Sequence, residues 1–156
     1  MGRVETQLSD MGLAFPARNE KKVGIIESIK QVGDLIFVSG HGPQNPDGSM
    51  AFTGKLGKEV STEQGYEAAK LCALSCLGSV KTAVESLDQI EIISVRGFVS
   101  SVPDYFDQPQ VMNGASELLL EIFGDKGRHA RTAVATPVLP GNISVEVQMV
   151  VRVLGN

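Results

Sequence analysis

The chain has no tryptophan, and aromatic residues make up only 5% of it, so the core has to be assembled from aliphatic side chains. Only two cysteines occur, Cys72 and Cys76. Their spacing of four puts them on one face of a helix, with no further Cys or His near them in sequence to complete a zinc site. They read as reduced core thiols, which fits a cytoplasmic protein. Apolar runs fall far short of the ~20 residues that a membrane span needs. The charged opening, Met1 to Lys22, lacks the apolar stretch of a signal peptide. Net charge is −4, and an acidic balance speaks against long contacts with a phosphate backbone. The one dense basic group, Lys126, Arg128, His129 and Arg131, is short and has Glu121 and Asp125 beside it. Phosphate-loop, esterase-elbow, zinc-hydrolase and Cys-x-x-Cys motifs are all missing. So are internal repeats and low-complexity tracts.

What is present suits one domain of 156 residues, expected over 23–156 behind a loosely tethered arm at 1–22. Val23 to Val32 and Leu35 to Ser39 are β-rich runs joined by Gly33-Asp34, which predicts a hairpin. Gly and Pro punctuate His41 to Glu59, a loop. Ser61-Thr62-Glu63-Gln64 is a capping box, and behind it Ala69, Cys72, Ala73, Cys76, Leu77, Val80, Ala83, Val84 and Leu87 recur at helical spacing. Ile90 to Ser101 reads as a strand. A second helix opens at Asp107 or Gln108, carries Pro109 early, and ends at Gly124. Strands at Arg131 to Val138 and Ile143 to Val153 flank a turn at Leu139-Pro140-Gly141-Asn142. The order β-β-α-β-α-β-β predicts an α+β fold with two helices on one face of a mixed sheet. In the last strand Val145, Val147 and Met149 point one way, and Glu146 and Gln148 the other. The second sheet face is therefore small and semi-polar, and a further copy of the chain would cover it.

Few residues stand out for chemistry. Gly40-His41-Gly42 lacks the continuation of a dinucleotide loop. His41 reads as a surface loop residue, and His129, between Arg128 and Arg131, as a local one. Arg131 begins a strand face of small residues, where its planar fork can take a carboxylate through two parallel hydrogen bonds. Glu146 sits between Val145 and Val147, and a carboxylate inside an apolar strand needs a partner or a task.

At these residues the chain resembles the Rid/YjgF family, also described as endoribonuclease L-PSP. The shared pattern is Arg131, then Leu139-Pro140, then Val145-Glu146-Val147. To it belong Leu35 to Gly40, a strand ending in Ser-Gly, and Asn113 near the start of the second helix. The resemblance implies a chorismate-mutase-like fold, with three subunits packing their sheets into a central barrel. It implies a cleft between subunits that binds a small carboxylate metabolite, with no metal or organic cofactor. Better-known members hydrolyse reactive 2-imino and enamine acids to 2-keto acids and ammonia. On that basis Arg131 and Glu146 would be catalytic, and Arg131, Ala133, Asn113, Ser39 and Gly40 would shape the substrate pocket. A binding protein without turnover is the alternative, and an endoribonuclease a more remote one. Two positions depart from the deaminases: Ala133 stands where they often carry Cys, and Ile26 where they carry Tyr.

Overall fold

The computed structural model describes residues 1–17 and 24–155. In chain order these form α1 (Arg3–Asp10), β1 (Ile29–Val32), β2 (Leu35–His41), α2 (Thr62–Val80), β3 (Ile90–Ser100), α3 (Gln108–Phe123), β4 (Ala130–Thr136) and β5 (Val145–Val153). The fold is α+β: one five-stranded sheet in the order β1-β2-β5-β3-β4. β3 and β4 are parallel, and the other neighbours are antiparallel. A parallel pair needs a crossover, and α3 supplies it.

The hairpin forms as the Gly-Asp pair predicts. Val32 lies opposite Leu35, and Gly33 takes the positive φ of 60° that a tight hairpin turn demands. The strand expected from Val23 begins only at Ile29, and Val23 itself lies outside the described residues. Before Ile29 the Ser39 hydroxyl donates to the Glu27 carbonyl at 2.7 Å, a side-chain bond that competes with a regular ladder.

Burial follows the period of two. Ile36, Val38, Val95, Val99, Val145, Val147, Met149 and Val151 are buried in one core with the apolar faces of α2 and α3. A bulge between Ile92 and Ser94 of β3 resets the phase, so that Ile92 and Val95 both face inward although three residues apart. Val150 and Val151 keep the alternation: Val151 is buried, and Val150 stands opposite Phe37 on the other face.

The capping box opens α2 as expected. The Gln64 N–H donates to Ser61 Oγ at 3.2 Å, and the Ser61 N–H donates to Gln64 Oε1 at 3.0 Å, an arrangement worth about 1 kcal/mol. The helix stops at Val80, short of the periodic apolar residues beyond it. Ala83 and Val84 fall in the following turn, and Leu87 reaches the core from a short 3-10 turn, Leu87–Gln89, with a capping box of its own on Ser86. Gly124, at φ 61°, closes α3.

The start of the chain corrects the sequence reading. Instead of a loose arm, residues Arg3–Asp10 make a third helix that buries Val4 and Leu8. Its free N-terminal N–H groups are taken by a distant carboxylate: Arg3 and Val4 donate to Asp88 at 2.6 and 3.0 Å. Glu5 returns the favour by accepting from the Leu87 N–H at 2.8 Å. This exchange spans more than eighty residues, so no local pattern announces it. Residues 18–22 of the expected arm lie outside the described ones. No helix among the described residues is long and apolar enough to cross a membrane.

The helix-free face of the sheet carries Phe37, 48% exposed, and Val134, 41% exposed. In register with them stand Arg96, Thr132, Gln148 and Glu146. Nothing among the described residues covers this face.

Candidate functional site

Arg131 is the second residue of the edge strand β4 and pairs with the inward-facing Val95. Its side chain therefore leaves the sheet on the helix side, at the open edge, where α3 passes. Its Nη1 donates to Asn113 Oδ1 at 2.8 Å and to Ser116 Oγ at 3.3 Å. Ala133 follows on the same face, half-buried against the core. Arg131 and Asn113 are thus bonded to each other, and Ala133 lies two residues along the same strand face. Arg131, with Ser116, Leu120, Arg128 and His129, lines an open depression of about 260 Å³. Arg128 also pairs with Asp125 at 3.3 Å.

The other expected residues gather elsewhere. Glu146 lies opposite Phe98 on the helix-free face. Its carboxylate packs where a side chain on Gly40 would be: a Cβ there would sit 2.8 Å from Glu146 Cδ. Gly40 therefore makes room for this carboxylate. Among the described residues no side chain donates to it. Arg96, a cation on the same face, stands opposite Gln148 instead. Ser39 has its hydroxyl committed to Glu27 and its N–H to the Ser28 carbonyl.

Within one chain, Arg131 and Glu146 do not meet. They are two strands apart, roughly 10 Å across the sheet, and about as far again along it. They also point to opposite faces. One half of the expected site belongs to the β4–α3 edge, the other to the β2–β5 side.

His41 closes β2 instead of standing in a surface loop. Its Nδ1 donates to the Ser39 carbonyl at 2.5 Å, and its Nε2 meets Ser79 Oγ at 2.8 Å. Ser116 and His129 were not singled out from sequence as site residues, yet both line the depression. Their spacing carried a signal: Asn113 and Ser116 are three apart on a helix, and His129 and Arg131 two apart at a strand start. Cys72 and Cys76 lie beneath β5, their thiols donating to the carbonyls of Val145 and Val147 at 3.4 and 3.3 Å. Burial pushes both thiols up from the ordinary range, and the Glu146 charge adds to it. Among the described residues no group of three His, Cys, Asp or Glu side chains is placed to hold a metal.

The family model for the YjgF/chorismate_mutase-like, putative endoribonuclease family matches residues 5–153. The chain belongs to this family. A relative, Protein TCP17 of Trypanosoma cruzi, is 35% identical over 97% of this chain and 94% of its own length. The crystal structure of Atu1372 from Agrobacterium tumefaciens, of unknown function, is 37% identical with a TM-score of 0.89, over 97% of this chain and 92% of that one. A more distant likeness, E. coli TdcF with bound serine, has a TM-score of 0.62 at 17% identity, over 90% of this chain and 94% of that one. The YjgF-like model begins at residue 5, inside α1, so this helix falls largely within the family's matched span.

Proposed function

We propose that this YjgF-like chain hydrolyses small 2-imino acids to 2-keto acids and ammonia, in clefts formed between copies of itself. The observation that carries the reading is the split site. An exposed guanidinium bordering an open depression lies at one edge, and a carboxylate with no described partner lies on the opposite face. A second copy that laid its β2–β5 side against the β4–α3 edge would bring the two together. The uncovered sheet face, with Phe37 and Val134, gives such copies something to bury, and the family resemblance favours three of them around a barrel. The serine bound to TdcF supports a ligand of this size, because an amino acid carries a carboxylate and a nitrogen on adjacent carbons.

In this reading Arg131 clamps the substrate carboxylate, and Asn113 holds the guanidinium in place. Glu146 of the neighbouring copy positions the water that attacks the imine carbon. That carbon is already electrophilic, so the chemistry asks for no cofactor. The Ala133 backbone borders the same edge.

Mixing experiments test the arrangement. Arg131→Ala and Glu146→Gln should each be inactive on freshly generated 2-iminopropanoate, and Glu146→Gln should still bind pyruvate in a calorimetric titration. Co-refolded in equal amounts, the two variants should regain activity in about a quarter of the clefts, the share in which random association pairs an intact Arg131 with an intact Glu146. No recovery, or a single chain mass by light scattering in dilute buffer, would sink the shared cleft. Pyruvate binding without imine turnover in the unaltered protein would leave a metabolite-binding protein instead.

A further inference from the structure

Ser116 and His129 have no part in the scheme so far, yet they are a hydrogen-bonded pair beside Arg131. His129 Nδ1 lies 2.6 Å from the Gly127 carbonyl oxygen. A carbonyl only accepts, so Nδ1 carries a proton, and in the neutral imidazole Nε2 presents its lone pair. That lone pair faces Ser116 Oγ at 2.9 Å. The serine hydroxyl therefore donates to the imidazole, while Arg131 Nη1 approaches the same oxygen at 3.3 Å. A hydroxyl bonded to a base whose other nitrogen is fixed by a third group is an arrangement suited to moving protons.

The same bonding pattern occurs once more, and the contrast is informative. His41 also sits between the carbonyl two residues before it and a helix serine, Ser79. But Ser79 is only 9% exposed, so no ligand reaches its hydroxyl. That copy holds β2 to α2. Ser116 and His129 are half-exposed and form the wall of the depression that Arg131 borders. The charged groups lining this wall beside His129 are Arg128 and Arg131, and α3 contributes only the neutral Ser116 and Leu120.

We infer that Ser116 and His129 are the proton-transfer pair for the ligand held by Arg131, with the Ser116 hydroxyl touching the reacting atoms and His129 acting through it; this rests on the imine-hydrolysis reading above. The steps balance as follows. The water oxygen bonds to the iminium carbon, and the C=N π pair moves to nitrogen. The proton shed by the water passes to Ser116 Oγ while the Ser116 proton passes to His129 Nε2. The imidazolium then returns a proton through Ser116 to the amine nitrogen. The C–N bond breaks, the carbonyl forms, and the remaining hydroxyl proton leaves to Glu146 and solvent. Iminium and water become keto acid, ammonia and that released proton, with no oxidant or reductant.

The test separates this pair from the carboxylate clamp. His129→Gln keeps a hydrogen-bonding side chain but cannot take up a proton. It should lower kcat on 2-iminopropanoate at least tenfold, with KM and calorimetric pyruvate binding unchanged. Ser116→Ala should do the same, and Ser116→Thr, which restores the hydroxyl, should recover most of the rate. Long-range proton–nitrogen correlation spectra should show His129 protonated on Nδ1 alone at high pH, which reads the pair without any activity. Wild-type kcat in His129→Gln, or the opposite tautomer, would overturn the inference. Failure of the unaltered protein to bind pyruvate would overturn the Arg131 reading instead.

Discussion

At the β4–α3 edge of the sheet, polar side chains hold one another: Arg131 with Asn113 and Ser116, and Ser116 with His129. Around Glu146, on the β2–β5 side, the surroundings are bare: a glycine, a strand backbone and no described donor. The first region is pre-organised inside a single chain. The second is a carboxylate held by position alone, and it reads as half of something. On the proposed reading, a site divided in this way would tie chemistry to assembly, because each edge supplies only one of the two groups. It also means that substitutions on the two sides should fail differently.

The largest effect should come from Arg131. Arg131→Ala removes the cation and leaves Asn113 Oδ1 without its donor. Carboxylate binding should be lost beyond a hundredfold, with the fold retained, because the side chain is exposed. Arg131→Lys keeps the charge and loses the fork, and hydrogen bonds to charged partners are worth about 1.5–3 kcal/mol, so binding should weaken roughly ten- to a hundredfold. Calorimetry with pyruvate reads both. Wild-type affinity in Arg131→Ala would make this edge a structural strand end and erase the contrast.

Gly40→Ala tests the bare side without altering any polar group. The new methyl would lie 2.8 Å from Glu146 Cδ, and the flexible carboxylate would swing away at little cost to stability. The expected result is unchanged pyruvate binding with kcat lowered about tenfold, a moderate penalty for misplacing a catalytic group by around an ångström. Equal kcat would mean that the position of Glu146 is not critical.

Away from both edges, the clasp between α1 and the Leu87–Gln89 turn should matter less. Burial pushes the Asp88 carboxyl up, but the backbone N–H groups of Arg3 and Val4, with the charges of Arg3 and Lys126, outweigh this and hold it below its usual value. A carboxyl lowered by folding stabilises the native state above its unfolded pKa, and this contribution is lost as pH falls through the folded one. α1 should therefore loosen under acid conditions, below about pH 4. Asp88→Asn should cost about 1 kcal/mol near neutrality, or roughly 2–4 °C in Tm. That loss should shrink as the pH of the melt approaches the acid limb. A constant difference at every pH would show that the carboxylate charge is not what holds the helix.

What the sequence disclosed and what it hid divide along the range of the interactions. The alternation around Glu146, the Ser61 box and the Gly33 turn are local, and local chemistry wrote them into neighbouring residues. Arg131 stood out at its strand start, but Asn113 was legible only through a family pattern, since eighteen positions separate this helix residue from the strand residue it bonds. The α1 clasp and the pairing of Ser116 with His129 depend on tertiary closure. The mixed charge and the Gly and Pro of the opening segment outweighed the short Val4-x-x-x-Leu8 stripe that α1 buries. The opposite facing of Arg131 and Glu146 follows from strand register, which no single strand contains.

The smallest effect is expected beneath the bare side itself. Cys72 and Cys76 hang under β5, their thiols donating to Val145 and Val147, the carbonyls on either side of Glu146. Both thiols are fully buried, and burial disfavours the thiolate that reacts with disulfide reagents. Native protein should therefore label slowly at pH 8, at a rate that rises with denaturant as opening exposes the sulfurs, while the unfolded chain labels at once. Because the contact to β5 is a weak sulfur hydrogen bond, Cys76→Ala should leave pyruvate binding unchanged and kcat within about twofold, within the spread allowed for a site that keeps its geometry. Rapid labelling of native protein would show that the sheet opens beneath Glu146. The carboxylate would then be mobile, and the difference between a fixed edge and a bare one would become a difference in local stability.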